Sequence, residues 1–149
     1  MKKTDTRFQN ISNFLVVTTG VLLAWNKYFA ASTDPYSSAS SPWQIRSYNA
    51  HILTAPILVF AIALIWNRHI WPRWKNGTVR EFGWLKINTG RLLMFLIVPM
   101  IWSGYGLQIT ADELWRKILI TIHLVTSGAW TLGFVLHLIK ARAKKRSRK

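Results

Sequence analysis

Four stretches without a formal charge divide the chain: residues 8–26, 47–67, 92–111 and 118–139. Each is mainly apolar and close to the ~20 residues that a helix needs to cross a bilayer core. Polar and charged residues collect between them. The pattern predicts four helices over residues 8–27, 47–70, 90–110 and 115–140, followed by a basic tail at 140–149. Together they use most of the 149 residues, so the chain is expected to be a single membrane domain, 1–149. The predicted class is an all-α integral membrane protein, a four-transmembrane-helix up-down-up-down bundle.

Charge supplies the orientation. Twenty Lys and Arg face five Asp and Glu, a formal net charge of +15. The amino-terminal arm carries Lys2, Lys3 and Arg7, and the second connection carries Arg68, Arg73, Lys75, Arg80, Lys86 and Arg91 against Glu81 alone. The connection around Asp34 and Arg46 and the connection "ADELWRK" are nearly balanced. Cations alternating in this way place both termini and the second connection in the cytoplasm. The tail "KARAKKRSRK" has seven cations in ten residues. Beside a membrane span such a run fixes topology and meets anionic lipid, so membrane lipid and not nucleic acid is the expected partner.

Lys2, Lys3 and Arg7 before an apolar run ending near Ala30 have the outline of a signal peptide. Tyr28 and Phe29 fit its small-residue cleavage positions poorly, so the first span is expected to be retained. Most of the nine tryptophans fall near the ends of the stretches, as interfacial anchors do, whereas Trp102 and Trp130 fall in mid-span. With no cysteine in the chain, disulfides, thiolate-held iron–sulfur clusters and thioether-attached haem are excluded.

The chain has four histidines: His51 and His69 bound the second span, His123 and His137 the fourth. In the predicted bundle these spans run parallel, so His51 and His123 lie toward the outer side and His69 and His137 toward the inner. His51 and His69 are eighteen residues apart, roughly five whole α-helical turns, and so share a face. His123 and His137 are fourteen apart, about 40° from alignment. The spans hold no Cys, Asp or Glu to complete a zinc site or a carboxylate proton relay. A haem set edge-on between two helices needs one imidazole on each side of its iron, and two such haems use all four histidines.

Small residues accompany the pattern. Ser127 lies four residues after His123 and Gly133 four before His137, each on the adjacent turn of that face. Gly128 is turned away. Gly90 and Gly104 repeat the fourteen-residue spacing in the third span. Ordinary small-residue helix packing is the competing explanation for each. Trp130 lies seven residues from both His123 and His137, which directs its indole about 20° from each and between them.

The segments "NAHILTAPILVFAIALIWNRHI", "SGYGLQ" and "HLVTSGAWTLGFVLH" resemble the small prokaryotic di-haem membrane cytochromes of the cytochrome b family. They are similar to the haem-binding four-helix core of cytochrome b in quinol–cytochrome c reductases, over roughly residues 47–139. The resemblance implies two haem b groups, with His51 and His123 as axial ligands of the outer iron and His69 and His137 of the inner. It implies an electron-transfer subunit of a respiratory-type oxidoreductase complex in a prokaryotic cytoplasmic (inner) membrane. Redox partner subunits carrying haem or iron–sulfur centres, a hetero-oligomeric assembly and quinone as an electron partner are expected with it. Two features depart from the family pattern. The His51–His69 spacing exceeds fourteen, and the first span has Gly20 alone in place of a spaced pair.

Haem propionates call for cations at the membrane surfaces. Arg46 and Arg116 are candidates outside, and Arg68, Arg80 and Arg91 inside, with Arg91 preferred because it follows Gly90. Positive-inside charge is the alternative account of the inner three. Two other functions stay open: a self-contained quinol oxidoreductase using Asp112, Glu113 and Lys117, and a non-redox membrane assembly or transport protein.

Overall fold

The computed structural model describes residues 3–30, 43–76 and 89–147, apart from the side chains of residues 3, 144 and 145. Arg80 therefore lies outside the described residues. All regular structure among them is helical: α1 (Lys3–Tyr28), α2 (Gln44–Ile65), a π-helical turn (Trp66–Ile70), α3 (Trp71–Asn76), α4 (Thr89–Ile109) and α5 (Glu113–Arg146). Four helical segments are long and apolar enough to cross a membrane: Thr4–Tyr28, Gln44–Lys75, Thr89–Ile109 and Glu113–Ala143.

The chain falls into two compact units, residues 1–77 and 78–149. The first is a helical hairpin of α1 against α2 and its continuation. Contacts along its length fix an antiparallel register. Asn26 Nδ2 donates to Ser47 Oγ at 3.0 Å near the connection. The Phe8 and Phe60 rings meet edge to face at 6.2 Å farther along. Arg68 approaches Asp5 at 3.6 Å at the far end. Leu58, Ala61 and Ile65 supply its buried apolar residues.

The second unit pairs α4 with α5 through the connection 110–112. Asp112 caps α5: its backbone is extended and its carboxylate accepts a hydrogen bond from Trp115 N–H at 2.9 Å. That satisfies one of the donors a helix start leaves open. Leu119 packs where a Cβ on Gly106 would stand, at 3.1 Å, and Leu92 and Leu93 pack beside Gly133. Ile97, Met100 and Trp130 are buried. No more than 17 % of any of the four apolar windows is buried, so their outward surface is largely apolar. An outward surface of that kind is suited to hydrocarbon and would be an association liability in water. The four apolar helices are compatible with an integral membrane protein.

Two differences from the sequence expectation have local causes. Helix α5 continues through the basic tail to Arg146, because Lys and Arg are good helix formers and cations at a helix C-terminus oppose its dipole. The second span widens into a π turn at Trp66–Ile70, where Trp71 N–H bonds Trp66 O five residues back. Pro72 explains the position. It cannot donate to the carbonyl of Arg68, and its ring crowds that carbonyl unless the turn opens.

Candidate functional site

Each hairpin holds its first histidine in the same way. In the first, His51 of α2 lies against Gly20 of α1, where a Cβ would stand 3.0 Å from the imidazole Cε1. In the second, His123 of α5 lies against Gly104 of α4, again at 3.0 Å from Cε1. Any larger residue would have to displace the ring. The first-span glycine that has no spaced partner in sequence thus corresponds to Gly104.

The residue before each glycine supplies a hydroxyl to the same ring. Thr19 Oγ1 is 3.2 Å from His51 Nδ1, and Ser103 Oγ is 3.3 Å from His123 Nδ1. His123 Nδ1 is also 3.0 Å from the carbonyl oxygen of Met100. A carbonyl only accepts, so this contact requires the proton on Nδ1 and leaves Nε2 as the nitrogen with the lone pair. At His51 the hydroxyl has a comparable role. Thr19 Oγ1 lies 2.9 Å from Leu15 O, to which it donates, and it can then accept from the imidazole. Thr54 Oγ1, 3.0 Å from Thr19 Oγ1, closes the cluster.

At the other end of the second hairpin, His137 Nδ1 is 3.0 Å from Thr89 Oγ1, in the first turn of α4. Thr89–Gly90 stands fourteen residues before Ser103–Gly104, so one face of α4 presents a hydroxyl to each histidine of α5. The corresponding pair in α1 is Asp5–Thr6. Asp5 faces Arg68, the residue before His69, and this end of the first hairpin is therefore ionic where the corresponding end of the second is hydroxylic. His69 itself is half-buried and lies within the π turn. The count of five whole turns from His51 assumed an uninterrupted α-helix, and the wider turn interrupts that count.

The remaining candidates divide. Trp130 is 4 % exposed, stacked on Phe134 with ring centroids 5.5 Å apart, and its buried Nε1 has no hydrogen-bond partner among the described residues. Trp102, the other mid-span tryptophan, is 78 % exposed. Ser127 Oγ donates to Leu124 O of its own helix at 3.3 Å. Nothing lies within 4 Å of a Cβ placed on Gly128, which agrees with its direction read from the sequence. Arg46 is exposed, with its guanidinium 4.7 Å from the Trp43 ring centroid. Arg91 is half-buried in the first turn of α4, and Arg116 Nη1 donates to Thr110 O at 3.5 Å. Asp112 is a helix cap, while Glu113 and Lys117 form an exposed i,i+4 pair at 2.7 Å. These three are accounted for by helix termination and surface pairing.

Thr19, Thr89, Ser103 and Met100 were not singled out in the sequence, and Gly20 was noted only as a departure from the family pattern. Their signal was present as a hydroxyl residue directly before each glycine that meets a histidine, or before its fourteen-residue counterpart. The dipeptide alone is insufficient, since Ser127–Gly128 has the same form and meets nothing. Comparison with known proteins finds no matching family model, no matching curated protein and no matching solved structure.

Proposed function

We propose that the chain is a di-haem b-type membrane cytochrome, an electron-transfer subunit and not a complete enzyme. In this reading His51 and His123 ligate one haem iron and His69 and His137 the other. The observation that carries it is the fixed imidazole of His123, whose Nδ1–H is committed to the Met100 carbonyl. Ligating histidines characteristically give their second ring nitrogen to a backbone or side-chain acceptor, which sets the tautomer and ring direction. His51 and His137 meet hydroxyls through the same nitrogen.

When bound, each haem supplies a one-electron couple whose potential depends on ligands, hydrogen bonds and burial. The chain's own work is to orient. Gly20 and Gly104 admit the rings against the neighbouring helix, and Thr19, Ser103 and Thr89 hold their Nδ1 atoms. Arg46, Arg68 and Arg91 are the charges proposed for the propionates. Gly90, Ser127, Gly133 and Trp130 are proposed as pocket neighbours. The proposed partners are membrane lipid, a haem- or iron–sulfur-bearing subunit and quinone. The setting is a hetero-oligomeric complex of a prokaryotic inner membrane, with both termini cytoplasmic.

The test is haem content. Purified full-length protein should give two haems per chain by pyridine haemochrome, and His137→Ala should give one. A folded wild-type chain without a reducible b-type Soret and alpha band would overturn the proposal in favour of a non-redox assembly or transport role.

A further inference from the structure

We propose that the buried polar face at the start of α1, from Asp5 to Asn13, holds a file of water molecules. It forms a hydrated half-channel reaching from the N-terminal end of the first span toward its middle. This inference is independent of haem.

At 100° per residue, Asp5, Gln9, Ser12 and Asn13 fall within an arc of about 100°, over about 12 Å of helix. Gln9, Ser12 and Asn13 are 6, 0 and 2 % exposed. The Ser12 and Asn13 donors are used inside the helix. Ser12 Oγ donates to Phe8 O at 2.8 Å, and Asn13 Nδ2 donates to Gln9 O at 2.8 Å. The acceptors are not used: Asp5 Oδ2, Gln9 Oε1 and Asn13 Oδ1 are buried without a hydrogen-bond partner. Arg68 Nη1 approaches Asp5 Oδ2 only to 3.6 Å.

Two amide oxygens with no donor, and a carboxylate oxygen with only a 3.6 Å ion pair, at successive turns of an apolar segment are costly, since lipid offers them no donor. All three are oxygens, and that selects the occupant. A phosphate, a carboxylate or a quinone carbonyl brings further acceptors and satisfies none of them. A metal cation would find one carboxylate, already paired with Arg68, and two neutral amides. Water donates twice, is small enough to follow the helix turn by turn, and is the usual partner of buried polar groups that the chain leaves open. The Asp5 end lies beside Arg68, whose side chain is 56 % exposed, so water has an entrance. Val16 stands next on the same face beyond Asn13, and polarity resumes only at the hydroxyl cluster of Thr19, Thr54 and His51. The file is therefore blind. It brings the aqueous phase into the membrane without opening a path across it.

The chain has no cysteine, so single cysteines can be introduced into the full-length protein without background. Gln9→Cys, Asn13→Cys and Phe14→Cys would be compared in sealed vesicles with a membrane-impermeant methanethiosulfonate. Phe14 adjoins Asn13 in depth but is 71 % exposed, on the lipid-facing side. Gln9→Cys and Asn13→Cys should react at least tenfold faster than Phe14→Cys, and only from the side bearing the N-terminus. Equal rates, or faster reaction of Phe14→Cys, would overturn the proposal. Where a variant does not fold, water-edited solid-state NMR of the wild type decides. Transfer from water to the Gln9 and Asn13 carboxamide nitrogens should build up several-fold faster than to the Trp102 indole, and transfer no faster would refute the file.

Discussion

Replacing Gly104 with Ala puts the shared histidine pocket to a quantitative test. The new Cβ would stand 3.0 Å from His123 Cε1 and 3.3 Å from Nδ1. Ordinary carbon contacts begin near ~3.5 Å, so the ring must retreat by about half an ångström. It is tethered at Nδ1, 3.0 Å from Met100 O and 3.3 Å from Ser103 Oγ, so the retreat strains those bonds. Overpacking of this kind costs about 1–3 kcal/mol. Against it stands the helix propensity gained on Gly→Ala, up to ~1 kcal/mol. Gly128→Ala in α5 isolates that second effect, because nothing lies within 4 Å of its Cβ. Equilibrium unfolding in mixed micelles should therefore rank Gly128→Ala above wild type and Gly104→Ala below Gly128→Ala by about 1–3 kcal/mol. Gly20→Ala, with the same 3.0 Å approach to His51, should behave like Gly104→Ala. If Gly104→Ala proves as stable as Gly128→Ala, the close approach does not constrain the ring and the pocket argument fails.

Three further outcomes are expected. On the proposed di-haem reading, Thr89→Val removes the hydroxyl 3.0 Å from His137 Nδ1 and should weaken retention of the haem proposed at His69 and His137 roughly 10-fold or more, read as haem lost on competition with apomyoglobin, with the haem proposed at His51 and His123 unchanged. Asp112→Ala removes the cap on Trp115 N–H and should lower stability by about 1 kcal/mol, while Asp112→Asn should restore most of it. For orientation, Ser38→Cys should label with an impermeant thiol reagent from outside and Thr78→Cys should not; both positions lie outside the described residues, and the reverse pattern would invert the topology.

Much of the architecture was legible because apolar runs of bilayer length announce helices whatever packs against them. What the runs did not show is instructive. A stretch counted as apolar because it lacks charge can still carry a buried amide face, as Gln9, Ser12 and Asn13 do in α1. Angular counting from His51 to His69 assumed 3.6 residues per turn throughout, which the π turn interrupts, although Pro72 was in plain view as its cause. The histidines were conspicuous because imidazole is rare in lipid. Their hydroxyl partners were not, since Ser and Thr are ordinary in apolar helices, where they bond back to their own carbonyls. Only the paired helices show that Thr19, Thr89 and Ser103 also reach across to a ring.

The contacts that Thr19, Gly20 and Thr54 make around His51 all lie within one hairpin, ahead of Asn76. During synthesis that hairpin emerges first. At about 5–20 residues per second, the rest of the chain needs several more seconds to follow. In the second hairpin, Met100, Ser103 and Gly104 of α4 meet His123, and Thr89 of α4 meets His137. The first half of the polypeptide thus leaves the ribosome with the His51 ring already held, and the second half with those of His123 and His137. Each of those ring contacts forms within the hairpin that carries it, so none of them waits for the other half of the chain.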